Sequence, residues 1–279
     1  MSAITDVSGE LGYYDLLGLS EKARWDFHEL PWDGFDLDAL SEDTIHNVKT
    51  AAYGELTTFT ATESFMKLFR SDIDFTQWLA VWFYEETKHP LALIRYLARL
   101  GIPTDDSFIH AGRKITPMVE DRVVMLVSNI CSEIAANTLY NQTNKLVQEP
   151  LLNEIFRNLG RDEMRHSNGF QFYLRKTLKR AEDLDAERIK ALRMTWFLVD
   201  PGSHGVTHHP VYLTVRQLRG VDGPAMERLI QEKILDRMSS VLELDLPQRA
   251  EDLYDYYTKF KKNYMASRRG ADPVLAEAV

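Results

Sequence analysis

The chain is poor in cysteine and in basic charge, and each shortage excludes a class of protein. Its 279 residues contain one cysteine, Cys131, so the chain can form no internal disulfide and no metal site built on several thiolates. Acidic side chains outnumber basic ones by 42 to 33, which gives a formal net charge of −9. This balance argues against nucleic acid as a general partner, because phosphate binding needs a basic face.

The sequence also shows no pattern of a signal peptide or of a membrane span. Residues 1–6 lack the basic and then apolar pattern of a signal peptide. No stretch approaches the run of uninterrupted apolar residues that a membrane span needs. We therefore expect a soluble, cytoplasmic protein without a membrane partner.

Strand signals are nearly absent, and apolar periodicity with turn residues predicts an all-α fold. Residues 1–40 form a lead-in, and the segment 211–215 is the one stretch whose structure the pattern leaves open. Pro90 inside a predicted helix indicates either a bend or a break. We expect a single domain over 1–279, with core helices at about 43–180 and a helical extension at about 181–266. Helices are predicted at about 43–68, 75–100, 117–147, 151–179, 184–199, 223–242 and 248–265.

A short motif occurs twice, as Glu85-Glu86-Thr87-Lys88-His89 and as Asp162-Glu163-Met164-Arg165-His166. Each copy reads acid, Glu, any residue, base, His, and each is followed at the same offset by a Tyr-Leu pair that begins at Tyr96 or Tyr173. A Glu and a His three residues apart lie on one face of a helix. Each motif therefore offers two side chains that can bind a metal in the core of a helical bundle.

A two-metal site in such a bundle needs one further carboxylate from the helix that precedes each motif. In an antiparallel hairpin, Glu133 falls at the level of Glu163, because the two lie at nearly equal distances from the turn at Glu149. By the same count Glu55 falls at the level of Glu86. Glu63 is the competing candidate, but it would lie roughly 10 Å out of register at about 1.5 Å per residue.

The predicted ligand set joins four carboxylates to two imidazoles, and this set of oxygen and nitrogen donors suits iron or manganese. A single Glu-x-x-His pair is common by chance, whereas two copies with matched partner acids favour a metal centre. His204, His208 and His209 could form a second metal site, or could belong to a polar surface loop. The loop could also cover a substrate entrance.

At these residues, over about 45–180, the sequence resembles the ferritin-like di-iron carboxylate proteins, and its motif spelling is most similar to that of the soluble acyl-carrier-protein desaturases. The resemblance implies two iron ions, with Glu86 and Glu163 bridging them. It also implies that Glu85 orients His166 and that Asp162 orients His89; the alternative is that both acids are exposed and pair with Lys88 or Arg165. The implied ligands are Glu55, Glu86, His89, Glu133, Glu163 and His166.

Three positions depart from the patterns of particular subfamilies. Ala136 stands where desaturases usually have Thr, and Leu159 stands where arylamine N-oxygenases have an additional His. Asn137 occupies the position of a Thr thought to manage dioxygen and protons in multicomponent monooxygenases, so we expect it near the ligands. No subfamily fits completely.

The resemblance implies a non-haem di-iron enzyme that uses dioxygen to oxidise an unactivated C–H bond, by desaturation or hydroxylation. The alternatives are an iron-storage protein and an oxygenase of an amine or aromatic substrate. Expected partners are a small-molecule or carrier-bound substrate, an external electron donor such as a ferredoxin or a similar reductase, and a second copy of the chain in a homodimer. Lys176, Lys179, Arg180 and the basic run 259–269 could dock an acidic carrier, or could simply be solvated.

Overall fold

The computed structural model describes residues 12–113, 120–200 and 210–271. Within these ranges the chain forms helices and no strand, which confirms the all-α prediction. The segment 211–215, left open by the sequence pattern, lies in a helix. The helices are α1 (Gly12–Ala23), α2 (Glu42–Glu55), α3 (Thr58–Leu68), α4 (Ile73–Arg99), α5 (Asp106–Gly112), α6 (Arg122–Asn144), α7 (Pro150–Lys179), α8 (Leu184–Val199), α9 (Pro210–Gln217), α10 (Gly223–Leu242) and α11 (Leu253–Ala271).

Side-chain caps determine where the bundle helices begin. Ser41 caps α2 by accepting a hydrogen bond from the backbone of Thr44, and Asp72 does the same for α4. Each cap satisfies one of the free N–H groups of a first helical turn. At the other end of α4, Gly101 adopts a left-handed conformation with φ of 69°, and Ile102 N donates to Leu97 O. Glycine is favoured there because it has no Cβ.

The prediction of one helix over 43–68 is wrong, because the chain breaks between α2 and α3. Leu56 N and Thr57 N donate three residues back, to Tyr53 O and Gly54 O. The hydroxyl of Thr57 donates to Gly54 O as well, so the threonine side chain competes for a carbonyl that a continuous helix would use. The break places Glu55 at the end of one helix and Thr58 at the start of the next.

The third predicted helix is shorter than expected. It was placed at 117–147, but α6 begins at Arg122 after the cap Asp121 and ends at Asn144. Pro117, the expected first-turn residue, lies outside the described residues.

The lead-in 1–40 also contains a helix, α1, that the sequence pattern did not indicate. This helix packs against α4, and Tyr13 N donates to Asp74. Pro90 does not break α4, which continues through it.

Four long segments form the bundle, as two antiparallel hairpins. The first pairs α2 and α3 with α4, and the second pairs α6 with α7. The repeated tyrosines join the two hairpins: Tyr96 OH donates to Glu149 at the start of α7 (2.8 Å), and Tyr173 OH donates to Asp74 O at the start of α4 (3.0 Å). Each motif helix is thus tied to the beginning of the other, so α4 and α7 run antiparallel.

The helix α6 is long and apolar enough to cross a membrane by length and composition alone, with a hydropathy of 1.3 over an 18-residue window. Polar residues interrupt the helix, among them Asn129 and Glu133, so α6 is not an uninterrupted apolar run. In the structure, 83% of that window is buried inside the protein, and α6 packs against α7, α8 and α10. Its apolar surface forms part of the bundle core.

Candidate metal centre

The structure brings all six predicted ligands into one buried cluster between α2, α4, α6 and α7. Around His89, the ring atom Nδ1 lies 3.3 Å from Glu163, 3.5 Å from Glu55 and 3.7 Å from Glu86. Around His166, Nδ1 lies 2.7 Å from Glu86 and 3.7 Å from Glu163. Glu86 and Glu163 are therefore shared by both histidines.

The cluster contains two overlapping groups of donor atoms that could each hold an ion. One group consists of Glu86, Glu133, Glu163 and His166, and the other of Glu55, Glu86 and His89. Within each group the donor atoms lie within 4.8 Å of one another. Glu86 belongs to both groups, as expected of a carboxylate placed between two ions.

The structure also distinguishes the two candidate acids that precede the first motif. Glu55, the last residue of α2, reaches the cluster and is 10% exposed. Glu63 lies on α3 and its side chain is exposed to solvent. Glu55, and not Glu63, therefore lies with the other predicted ligands, although the predicted helix that carries both acids is broken.

Both histidines have their outer nitrogen held by a buried acid from the opposite motif. His166 Nε2 lies 2.9 Å from Glu85, and His89 Nε2 lies 3.3 Å from Asp162. Such bonds fix the orientation of a ligand ring and direct its other nitrogen towards the centre. Glu85 and Asp162 are 1% exposed, so the alternative of two exposed acids is wrong. Arg165 does pair with both, at 2.9 and 2.8 Å.

Four residues that the sequence reading did not assign also touch the site. Tyr140 OH donates to Glu55, and Trp82 Nε1 donates to Glu133 at 3.2 Å. Helical spacing could have predicted that both face the site, because Tyr140 lies seven residues after Glu133 and Trp82 lies four residues before Glu86. The other two are Thr58, whose hydroxyl donates to Glu86 (3.1 Å), and Trp25, whose indole donates to Asp162 (2.7 Å).

No spacing in the sequence indicated that Thr58 and Trp25 would reach the site. Thr58 reaches the site because the helix breaks before it, and Trp25 lies in the irregular segment after α1. Asn137 is buried close to the ligands, and its amide donates to Gly160 O at 2.6 Å. That bond joins α6 to α7, so the side chain binds the backbone of the motif helix.

Several ionisable groups of the cluster have pKa values shifted from their ordinary ones, among them Glu55, Glu133 and His89. Burial, reinforced by the charge of Glu163, raises the pKa of Glu55 from 4.5 to about 7. Burial likewise raises the pKa of Glu133 well above its usual value. Burial opposes protonation of His89, but Glu86 and Glu163 outweigh it, and the pKa of His89 is raised well above 6.5. Without a metal, the cluster therefore retains protons that offset its carboxylate charge.

Several buried polar atoms fit a metal better than they fit hydrogen bonding. His89 Nδ1, His166 Nδ1 and Glu86 Oε1 have no hydrogen-bond partner among the residues that the structure describes. The last two lie 2.7 Å apart, yet their geometry does not make a hydrogen bond. Buried polar atoms are normally satisfied, and ions held between these atoms would satisfy all three. The donor set of carboxylate and imidazole fits iron or manganese.

Of two further predictions, the one for the histidine loop cannot be placed and the one that put Lys176 on the surface is wrong. His204, His208 and His209 lie outside the described residues. Lys176, considered as a surface docking residue, is buried and pairs with Asp74. That cation supports the packing of α7 against the start of α4.

The helices form an all-α, ferritin-like fold, and its core contains a candidate centre for two metal ions. Among solved structures, the chain is similar to an R2-like ligand-binding oxidase from Sulfolobus acidocaldarius, with a TM-score of 0.57 and 17% sequence identity. The match covers 87% of this chain and 95% of the oxidase. Since the core at 45–180 makes up about half of the 279 residues, the likeness extends beyond the four-helix core. No protein-family model and no curated protein matches the chain.

Proposed function

We propose that this chain is a non-haem di-iron oxidoreductase that uses dioxygen to oxidise an unactivated C–H bond, as a desaturase or a hydroxylase. The observation that carries the proposal is the buried cluster, in which two histidines direct unpartnered nitrogens at two shared carboxylates. The likeness to an oxidase is consistent with it, as is the similarity of the motifs to those of desaturases. The first motif lies on α4 and the second on α7, and these two helices contact each other in the bundle.

Six residues of the cluster would hold two ions, and the side chains around them fix the positions of these six. Glu86 and Glu163 would bridge the ions, His89 with Glu55 would complete one site, and His166 with Glu133 would complete the other. Two iron ions bound there would supply one-electron redox chemistry and the activation of dioxygen.

The remaining side chains constrain these ligands and keep water away from them. Asp162 and Glu85 hold the imidazole rings, while Trp82 and Tyr140 donate to the terminal carboxylates. Burial of His89 to 0% exposure and of His166 to 2% makes the centre a low-dielectric site. Such an environment protects a reactive oxidant from water. Because the chain has one cysteine and no thiolate cluster of its own, electrons would come from an external donor.

The experiment is a product analysis on the iron-loaded protein. The purified chain is loaded with Fe(II) without oxygen, supplied with a reductant, dioxygen and a panel of acyl chains, free and carrier-bound, and its products are analysed by mass spectrometry. Loss of two hydrogen atoms would indicate desaturation, and gain of one oxygen atom would indicate hydroxylation. A panel that also contains arylamines tests the alternative, because conversion of an amine instead of any C–H bond would contradict the proposal.

A further inference from the structure

The second motif lies on α7, and from residue 157 onward every exposed charged side chain of this helix is basic. From residue 157 onward its exposed side chains are Arg157, Arg161, Asn168, Arg175 and Lys179, followed by Arg180 just after the helix. Glu154, one turn earlier, pairs with Arg157 at 2.7 Å, and the acids that follow on α7, Asp162 and Glu163, are buried in the site. We call Arg157, Arg161, Arg165, Arg175 and Lys179, together with Arg237 of α10, the α7 cationic stripe.

Three of these arginines have no carboxylate partner in the part of the chain that the structure describes. Among the described residues, Arg161, Arg175 and Arg237 have no acid within ion-pair distance. Arg175 donates to Ser240 (3.2 Å), and Arg237 donates to Asn168 (3.4 Å) and Gln171 (3.3 Å), which are neutral acceptors. These guanidinium groups retain their charge for an outside partner.

The stripe lies between two flanking elements. On one side the segment after α1 places Trp25 on Asp162. On the other side α10 contributes Arg237, whose guanidinium also approaches Met164. Half-buried Met164 and Phe172 supply apolar surface along the same helix face. From 157 to 179 the stripe measures about 33 Å at about 1.5 Å per residue, close to the diameter of a small domain.

This face also offers a short route from the surface to the candidate metal ligands. Arg165 is 14% exposed and pairs with both Glu85 and Asp162. Each of those acids touches one of the two histidines. A protein in contact with Arg165 would therefore be separated from each imidazole ring by two residues, Arg165 and one acid.

We propose that the α7 cationic stripe is the docking surface for a small acidic electron-transfer protein; this rests on the proposed function, which requires an external one-electron donor. Each encounter would oxidise the donor by one electron and reduce this chain by one. The chemistry favours an acidic protein because the free charges are guanidinium groups, which bind carboxylates well. The chain as a whole carries a net charge of −9. The local excess of positive charge on the stripe would therefore steer an acidic partner to this face.

The test measures binding of an acidic [2Fe–2S] ferredoxin to the full chain, in both the iron-loaded and the metal-depleted state. The triple variant Arg161→Gln, Arg175→Gln, Arg237→Gln removes the free charges and keeps polar side chains. We expect its Kd to rise roughly tenfold or more, and wild-type binding to weaken steeply with salt. The matched control is Arg193→Gln, an exposed arginine on α8, which should bind within about twofold of wild type. Circular dichroism checks that the variants fold, and a triple variant that does not fold is replaced by the Arg161→Gln, Arg175→Gln pair.

Three results would overturn the docking surface. These are no saturable binding of the ferredoxin, equal weakening by the triple variant and the control, or tighter binding of a single-stranded RNA oligonucleotide to the same arginines. Binding to the metal-depleted chain makes this failure distinguishable from a failure of the proposed function. If the chain holds no iron but still binds the ferredoxin through these arginines, the docking surface stands and the redox function falls.

Discussion

At the scale of single residues, the two histidines of the site are held in the same way by different partners. In each ring Nε2 meets an acid of the opposite motif and Nδ1 faces the shared carboxylates. Arg165 ties the two outer acids together. A change at one acid therefore affects both the ring that it holds and the arginine that also supports the other ring.

Replacing an outer acid by its amide should weaken metal binding without removing a ligand. We expect Asp162→Asn and Glu85→Gln each to lower the affinity for Fe(II) by about 10- to 100-fold, the usual effect of losing such a partner. Competition with a chelator of known affinity measures this. The control is Glu63→Gln, which changes an exposed acid on α3. Equal affinities in Asp162→Asn and wild type would show that the acid does not support the ligand.

The raised pKa of Glu55 predicts how the stability of the metal-depleted protein depends on pH. Between its ordinary pKa of 4.5 and its folded value of about 7, the folded state retains a proton that the unfolded chain releases. Stability should therefore fall as pH rises through this range. Asp162 and Glu163, whose pKa values are lowered, are ionised in both states above about pH 5 and add no slope there.

Urea unfolding of the metal-depleted chain between about pH 5 and pH 8 measures this dependence. The variant Glu55→Gln cannot release the proton, so its stability should fall less steeply than that of wild type. Identical slopes for the two proteins would mean that Glu55 does not hold the proton.

At the scale of helices, the sequence predicted the positions of side chains where a motif repeats, and it did not predict them where the chain is irregular. The doubled motif and the counts from each turn correctly predicted that Glu55 and Glu133 would meet the motif residues. The break before Thr58 could not be predicted, because it depends on a threonine hydroxyl competing for Gly54 O. Trp25 was missed for a related reason: no periodicity places a side chain that lies in a loop.

The packing of α4 on α7 depends on one close approach at Gly169. A Cβ built at this position would lie 2.2 Å from the indole ring of Trp78, which is itself buried. We expect Gly169→Ala to destabilise the protein by about 1–3 kcal/mol, the usual effect of overpacking a core. Chemical denaturation measures it.

The matched control for this substitution is Gly18→Ala in α1, where an added Cβ meets nothing within 4 Å. It should be neutral, or stabilising by up to about 1 kcal/mol, because Ala is the better helix former. If both substitutions have the same effect, the close contact at Gly169 does not govern the packing.

At the scale of the whole molecule, the helices beyond the core distinguish this chain from a bare four-helix bundle. α8 and α10 cover α6, and α11 packs on α8. The likeness to the oxidase covers 87% of this chain, which is more than the four-helix core alone. The sequence could not predict the packing of α8 to α11, because these helices repeat no motif of the core.

Oligomer size separates an enzyme from a storage protein at this scale. Storage needs a large hollow assembly, whereas an enzyme that receives a substrate and electrons works as a monomer or a dimer. We expect light scattering to give the mass of a dimer of this 32.2 kDa chain. A mass that corresponds to a shell of many subunits would favour storage.

We propose that the six clustered residues hold two metal ions, and analysis of the bound metal tests this claim. The purified chain is loaded with Fe(II) without oxygen, freed of excess metal and analysed for iron per chain, beside Glu86→Ala, Glu163→Ala and the exposed control Glu63→Ala. We predict two irons per chain for wild type and the control, and less than one for each variant that loses one of the two carboxylates shared by the histidines. Absence of iron in wild type, or full occupancy in Glu86→Ala and Glu163→Ala, would contradict the claim.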